Sequence, residues 1–93
     1  MSQILDELYA TILDRKDHPR AGSYTASLFA AGSDEIVKKV GEEAIEVIIA
    51  AKAQTDQRVI EEAADLMYHL LVLLAMRNVT LAQIEAELEK RHR

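Results

Sequence analysis

Breaks in regular structure are what this sequence lacks: one proline (Pro19) and three glycines (Gly22, Gly32, Gly41) interrupt 93 residues. An all-β sandwich or barrel needs turn chemistry every ~8–12 residues, so those folds are excluded. No stretch alternates apolar and polar residues for the length of a strand. Apolar residues recur instead at helical spacing in five segments. At 49% of the chain they are also too abundant for a disordered protein.

The first segment, residues 2–16, carries Ile4, Leu5, Leu8, Ile12 and Leu13 on one stripe. Ser2 is its expected N-cap, and Arg15 and Lys16 stand at the C-terminal end, where the helix dipole favours cations. Residues 17–23, around Pro19 and Gly22, read as a loop. A short helix is expected over 24–31, between a Ser23 cap and a Gly32 stop. Two long helices follow, over 34–53 behind Ser33 and over 57–77, separated by the polar break Gln54-Thr55-Asp56. Thr80 opens the fifth, where Thr80 and Gln83 form a capping box and Leu81, Ile84 and Leu88 share one side. Residues 90–93 are expected to fray.

The expected fold is therefore all-α, a single domain over residues 1–93: a small helical bundle built around a long antiparallel helical hairpin. Between 66 and 76 the fourth helix is apolar nearly all round, and one short chain cannot easily enclose such a helix. Completion by oligomerisation is expected, as a homodimer or a higher homo-oligomer.

The absence of cysteine excludes a disulfide scaffold, a thiol nucleophile and a thiolate zinc site. A net charge of −5 makes the chain a poor binder of nucleic acid or of an anionic membrane surface. The opening residues lack the basic and apolar regions of a signal peptide. The longest apolar stretch, 66–76, falls short of the ~20 residues that span a bilayer. A cytoplasmic protein with no nucleic-acid or membrane partner is the expectation.

The residues that carry chemistry are acids. Glu42, Glu43 and Glu46 lie on the third helix, and Glu61, Glu62 and Asp65 on the fourth. Each group is two adjacent acids and a third that lies three positions after the second, so Glu43 with Glu46, and Glu62 with Asp65, share a helix face. Like charges at such spacings destabilise a helix by roughly 0.2–0.5 kcal/mol per pair. These acids also sit among Val40, Ala44, Val47, Ile48, Ala63, Ala64, Leu66 and Met67. Burial and mutual repulsion both oppose ionisation there, and a hard divalent cation such as Mg2+ resolves the conflict. An antiparallel hairpin brings the two groups to comparable heights above its turn. Either group alone reads as a solvated face with Lys38–Glu42 or Lys39–Glu43 pairs; the repetition on consecutive helices favours a magnesium–carboxylate bundle. Spacing names no substrate, and no G-x-x-x-x-G-K-[ST] phosphate loop occurs.

Glu42-Glu43-x-x-Glu46 followed by Glu62-x-x-Asp65 resembles the signature of the all-α nucleoside triphosphate pyrophosphohydrolases, the MazG-like superfamily. More narrowly, Ser23-Tyr24-Thr25, Gly32, Ile36, Lys39, the run Gly41-Glu42-Glu43-Ala44-x-Glu46 and the run Asp65-Leu66-Met67-Tyr68-His69-Leu70-Leu71 resemble the phosphoribosyl-ATP pyrophosphatase family. The likeness covers nearly the whole chain.

This resemblance implies Mg2+-dependent hydrolysis of the α–β phosphoanhydride of phosphoribosyl-ATP to phosphoribosyl-AMP and pyrophosphate, the second step of histidine biosynthesis. It implies Glu43, Glu46, Glu62 and Asp65 as metal ligands, with Glu42 activating water or holding a second metal. Lys38 and Lys39 offer charge to the phosphates, Lys39 matching the family motif better, and Arg20 and Ser23 are further substrate contacts. Tyr24 reads equally as a core anchor, His69 as a hydrogen-bonded histidine inside the bundle, and Glu61 as a salt-bridging surface acid. Some family members carry a fused cyclohydrolase domain; a chain of this length implies the pyrophosphatase step alone. Two alternatives stay open. A related enzyme acting on free or damaged nucleotides would share the metal site, and a non-catalytic helical dimerisation module would leave the acids solvated.

Overall fold

The computed structural model describes residues 2–92. It contains α1 (Gln3–Asp17), α2 (Tyr24–Ala31), α3 (Ser33–Ala53), α4 (Asp56–Met76) and α5 (Leu81–Arg91), with no strand among the described residues. The all-α expectation holds, and four of the five helices begin where a hydroxyl side chain caps them. Ser2, Ser23, Thr55 and Thr80 accept hydrogen bonds from the backbone N–H of Leu5, Ala26, Arg58 and Gln83. At Thr80 the expected capping box is complete, since Gln83 Oε1 accepts the Thr80 N–H at 2.8 Å.

The exception is α3. Ser33 was the expected cap, but Ser33 is itself the first helical residue, and Gly32 both ends α2 and precedes α3. Gly32 has φ 101° and ψ 176°, a conformation open in practice only to glycine. With no side chain to cap α3, the dipole is met by Asp34 and Glu35 in its first turn. At the other end of the chain Lys90 and Arg91 remain helical rather than frayed, and Arg93 lies outside the described residues.

The helices α3 and α4 form the antiparallel hairpin, turning at Gln54 and Thr55, and share the most extensive contact in the fold. Each has 21 residues and is about 31 Å long at 1.5 Å per residue. Ala50 is buried near the turn itself, while the main buried cluster occupies the end remote from it. There Tyr9 and Ile12 of α1, Leu28 of α2 and Ile36 of α3 close on Leu71, Val72 and Ala75 of α4 and on Leu81 of α5. Polar contacts lock the same end. The Tyr9 hydroxyl donates to the Val79 carbonyl. Lys16 Nζ donates to the Ala75 carbonyl and to Asn78 Oδ1, both at 2.9 Å, and so closes the C-terminus of α4. Burial pushes the Tyr9 phenol above its ordinary pKa.

Ile12 and Val72 are the largest fully buried side chains. Ile12→Ala is expected to lower stability by roughly 2–5 kcal/mol, through lost transfer free energy and the cavity left behind. A denaturant titration reads this as a lower midpoint with an unchanged m-value.

Candidate metal centre

Halfway along the hairpin, between the core and the turn, the helices carry their acids. On α3, Glu43 lies two turns beyond the core residue Ile36; on α4, Glu62 and Asp65 precede His69 and Leu71. Antiparallel packing brings these positions together. One carboxylate oxygen from each of Glu43, Glu62 and Asp65 lies within 4.8 Å of the others. Around them opens a cleft of about 500 Å³, lined by Lys39, Glu42, Glu43, Ile45, Glu46, Glu62 and Asp65.

The donor set suits a hard cation. Of three oxygens bound to one octahedral Mg2+ at about 2.1 Å, at most one pair is trans, about 4.2 Å apart, and the others are cis, about 3.0 Å apart, so the trio closes on an ion by a contraction of up to about 1.8 Å. The site is also graded in burial: Glu62 is buried, Glu43 intermediate and Asp65 exposed. One side of a bound ion would therefore face protein and the other the open cleft.

Of the four ligands expected from sequence, Glu43, Glu62 and Asp65 converge. Glu46 lines the same cleft but stands outside the trio. Glu42 is also in the cleft wall and half exposed. Lys39 joins them, with Nζ 3.8 Å from both Glu42 Oε1 and Glu43 Oε1. The remaining expected substrate residues lie elsewhere. Lys38 turns to Glu35, at 4.0 Å, rather than to Glu42. Arg20 is exposed and its carbonyl accepts the Ser23 N–H at 3.1 Å, while Ser23 Oγ is engaged as the α2 cap. None of these three lines the acid cleft.

Behind Asp65, two adjacent residues of α2 meet two adjacent residues of α4. Tyr24 Oη lies 3.1 Å from His69 Nε2, and the Thr25 hydroxyl bonds the Tyr68 hydroxyl. His69 is buried, and its Nδ1 lies 2.8 Å from the Asp65 carbonyl. A carbonyl only accepts, so Nδ1 is the donor, and in the neutral ring Nε2 accepts from Tyr24. His69 is thus the hydrogen-bonded bundle histidine expected from sequence. Tyr24 differs from a core anchor: it is 51% exposed, with its ring stacked against Tyr68 at 6.2 Å between centroids. Burial, the larger influence, raises the Tyr68 phenol pKa, against the lowering effect of its bond to Thr25.

One residue escaped sequence reasoning. The Arg58 guanidinium donates to Glu61 through Nη1 and to Glu62 through Nη2. Arg58, and then the Gln57 amide, hold the Glu61 carboxyl below the usual carboxylate range, as befits the salt-bridging surface acid expected there. Arg58 stands three residues into α4, where the helix dipole disfavours a cation. The available signal was a longer repeat: KVGEEAIEV at 39–47 and RVIEEAADL at 58–66 share the basic first position as well as the acids.

The chain is similar to known proteins over nearly its whole length. Residues 5–92 match the family described as phosphoribosyl-ATP pyrophosphohydrolase. The chain is 56% identical over 88 residues to the phosphoribosyl-ATP pyrophosphatase of Listeria welshimeri, covering 95% of this chain and 84% of that protein. It is 51% identical over 90 residues to the phosphoribosyl-ATP pyrophosphatase of Clostridium botulinum, covering 97% and 82%. It is also 50% identical over 91 residues to the histidine biosynthesis bifunctional protein HisIE of Caldanaerobacter subterraneus subsp. tengcongensis, covering 98% of this chain and 44% of that protein. With a match that runs through all five helices and the acid cleft, the chain belongs to the phosphoribosyl-ATP pyrophosphohydrolase family.

Proposed function

We propose that this chain hydrolyses the α–β phosphoanhydride of phosphoribosyl-ATP to phosphoribosyl-AMP and pyrophosphate with Mg2+, as the second step of histidine biosynthesis in the cytoplasm. The observation that carries the reading is the meeting of Glu43, Glu62 and Asp65 across the hairpin. It occurs in a chain whose relatives are named for pyrophosphatase activity on this substrate.

Glu43, Glu62 and Asp65 would hold the ion, with Glu46 in the cleft wall as a fourth carboxylate. When bound, Mg2+ neutralises phosphate charge and makes a coordinated water more acidic. Glu42, half exposed in the same wall, takes the proton of the attacking water. The water oxygen joins one phosphorus of the α–β link while the bond from that phosphorus to the bridging oxygen breaks. Lys39, only loosely held by Glu42 and Glu43, turns to the phosphate oxygens. Contacts from Lys38, Arg20 and Ser23 fall on parts of the substrate that extend beyond the acid cleft.

The reading includes a homodimer or higher homo-oligomer. Ile45, Ile48 and Ile49 on α3 and Ile60, Met67 and Leu70 on α4 are exposed in the single chain. They are 41–61% exposed, so covering what remains of each contributes roughly 1 kcal/mol, about half the value for complete burial. The radius of gyration, 14.2 Å, also exceeds the roughly 12 Å of a compact domain of this length. Among the described residues no helix is long and apolar enough to cross a membrane, so association between chains is the simplest cover for this face.

Pyrophosphate release from phosphoribosyl-ATP is expected to require Mg2+ and to stop with EDTA. Release from dUTP but not from phosphoribosyl-ATP would instead assign the chain to another substrate. Without nucleotide, saturating Mg2+ is expected to raise the melting temperature by several degrees, since 100 times the dissociation constant adds about 2.7 kcal/mol. Asp65→Asn and Glu46→Gln are expected to reduce turnover by on the order of 10²-fold or more, as for loss of one preorganised charge-stabilising group. Their apo helicity should be retained, because like-charge repulsion is relieved. Light scattering on a sizing column is expected to return at least twice the 10.4 kDa of one chain, and Ile48→Glu to shift that mass towards the monomer.

A further inference from the structure

The repeated runs at 39–47 and 58–66 place a cation three and four residues before each pair of adjacent glutamates. Lys39 reaches Glu42 and Glu43, and Arg58 reaches Glu61 and Glu62. The two cations nevertheless stand differently. Lys39 is part of the cleft wall, and its 3.8 Å approaches exceed hydrogen-bond length. Arg58 does not line the cleft, yet it makes direct charge-assisted hydrogen bonds to both of its acids. It is also the only Lys or Arg of α4, placed in the turn where the helix dipole opposes it. The acid it holds, Glu62, is the most buried member of the converging trio.

We infer that Arg58 is a positioning residue for the metal centre: from outside the cleft it engages Glu62 Oε1, fixing the orientation of this carboxylate towards a divalent cation shared with Glu43 and Asp65. This rests on the metal-dependent reading above. A guanidinium fork suits the task better than an ammonium, because its planar donors set the orientation of the carboxylate as well as its charge. Glu61 anchors the other arm of the fork, so Arg58 is itself held in place. Of the two repeated cations, Lys39 remains available to phosphate, whereas Arg58 stays with the protein.

The test is Mn2+ binding to the full chain without nucleotide, followed by the loss of the free-ion EPR signal, together with the melting temperature of each apo protein. Arg58→Met is expected to weaken Mn2+ binding by roughly 10–100-fold, the range for loss of a group that orients a metal ligand. Arg58→Lys, which keeps the charge and loses the fork, is expected to recover part of that loss. It also carries the test should the methionine variant fail to fold. An Arg58→Met protein that melts earlier but binds Mn2+ as the wild type does overturns the inference and leaves Arg58 a structural residue. Tighter Mn2+ binding overturns it too, by making Arg58 a competitor of the cation. If the wild-type chain itself binds no Mn2+, the metal-dependent reading fails first and this inference falls with it.

Discussion

Three carboxylates with oxygens inside 4.8 Å of one another are the constraint around which the hairpin is arranged. Two unit charges 4 Å apart repel by about 1 kcal/mol in water and about 4 kcal/mol at the effective dielectric of a protein surface. Such a cluster persists only where neighbouring structure holds it and cations compensate it. The protein supplies both: an extensive α3–α4 contact, and Lys39 and Arg58 beside the acids. The compact core at one end then serves to fix the hairpin register, because a shift of one residue along either helix rotates its acids by about 100°.

Core and cleft divide the hairpin between them. Leu71, Val72 and Ala75 give α4 an apolar seat against α1, α2 and α5. Nearer the turn, Glu62 and Asp65 face α3, while Ile60, Met67 and Leu70 are left in contact with solvent. The same helix thus carries three different surfaces in 21 residues. This explains why its sequence is apolar nearly all round without being fully enclosed by its own chain.

Much of this was legible in the sequence, for local reasons. Helix starts were readable at Ser2, Ser23 and Thr80, which cap through their own side chains, whereas Thr55, legible only as part of a polar break, proves to be the α4 cap. The meeting of Glu43, Glu62 and Asp65 was readable because a short turn forces antiparallel packing and the acids lie at comparable, though not equal, heights above it. What escaped depends on three-dimensional placement. Nothing local distinguishes Ser33 from the other caps; Gly32 displaces it because the α2–α3 joint needs a positive φ. Which oxygens of Glu43 and Glu46 point inwards is a matter of angle around α3, not of spacing. Arg58 was overlooked because a basic residue four positions before an acid is ordinary on a helix surface, and only the burial of Glu62 sets this pair apart.

Gly32 has a wider bearing. Because one residue ends α2 and begins α3, the two helices behave as a rigid elbow with no slack. Tyr24 and Thr25 at the far end of α2 grip His69 and Tyr68 on α4, which completes a closed mechanical loop through α3, the turn and back. A segment inserted at this elbow cannot be absorbed locally, as insertions in surface loops usually are. It would swing the aromatic grip off α4 and remove the α2 side of the support of the helix that bears Asp65.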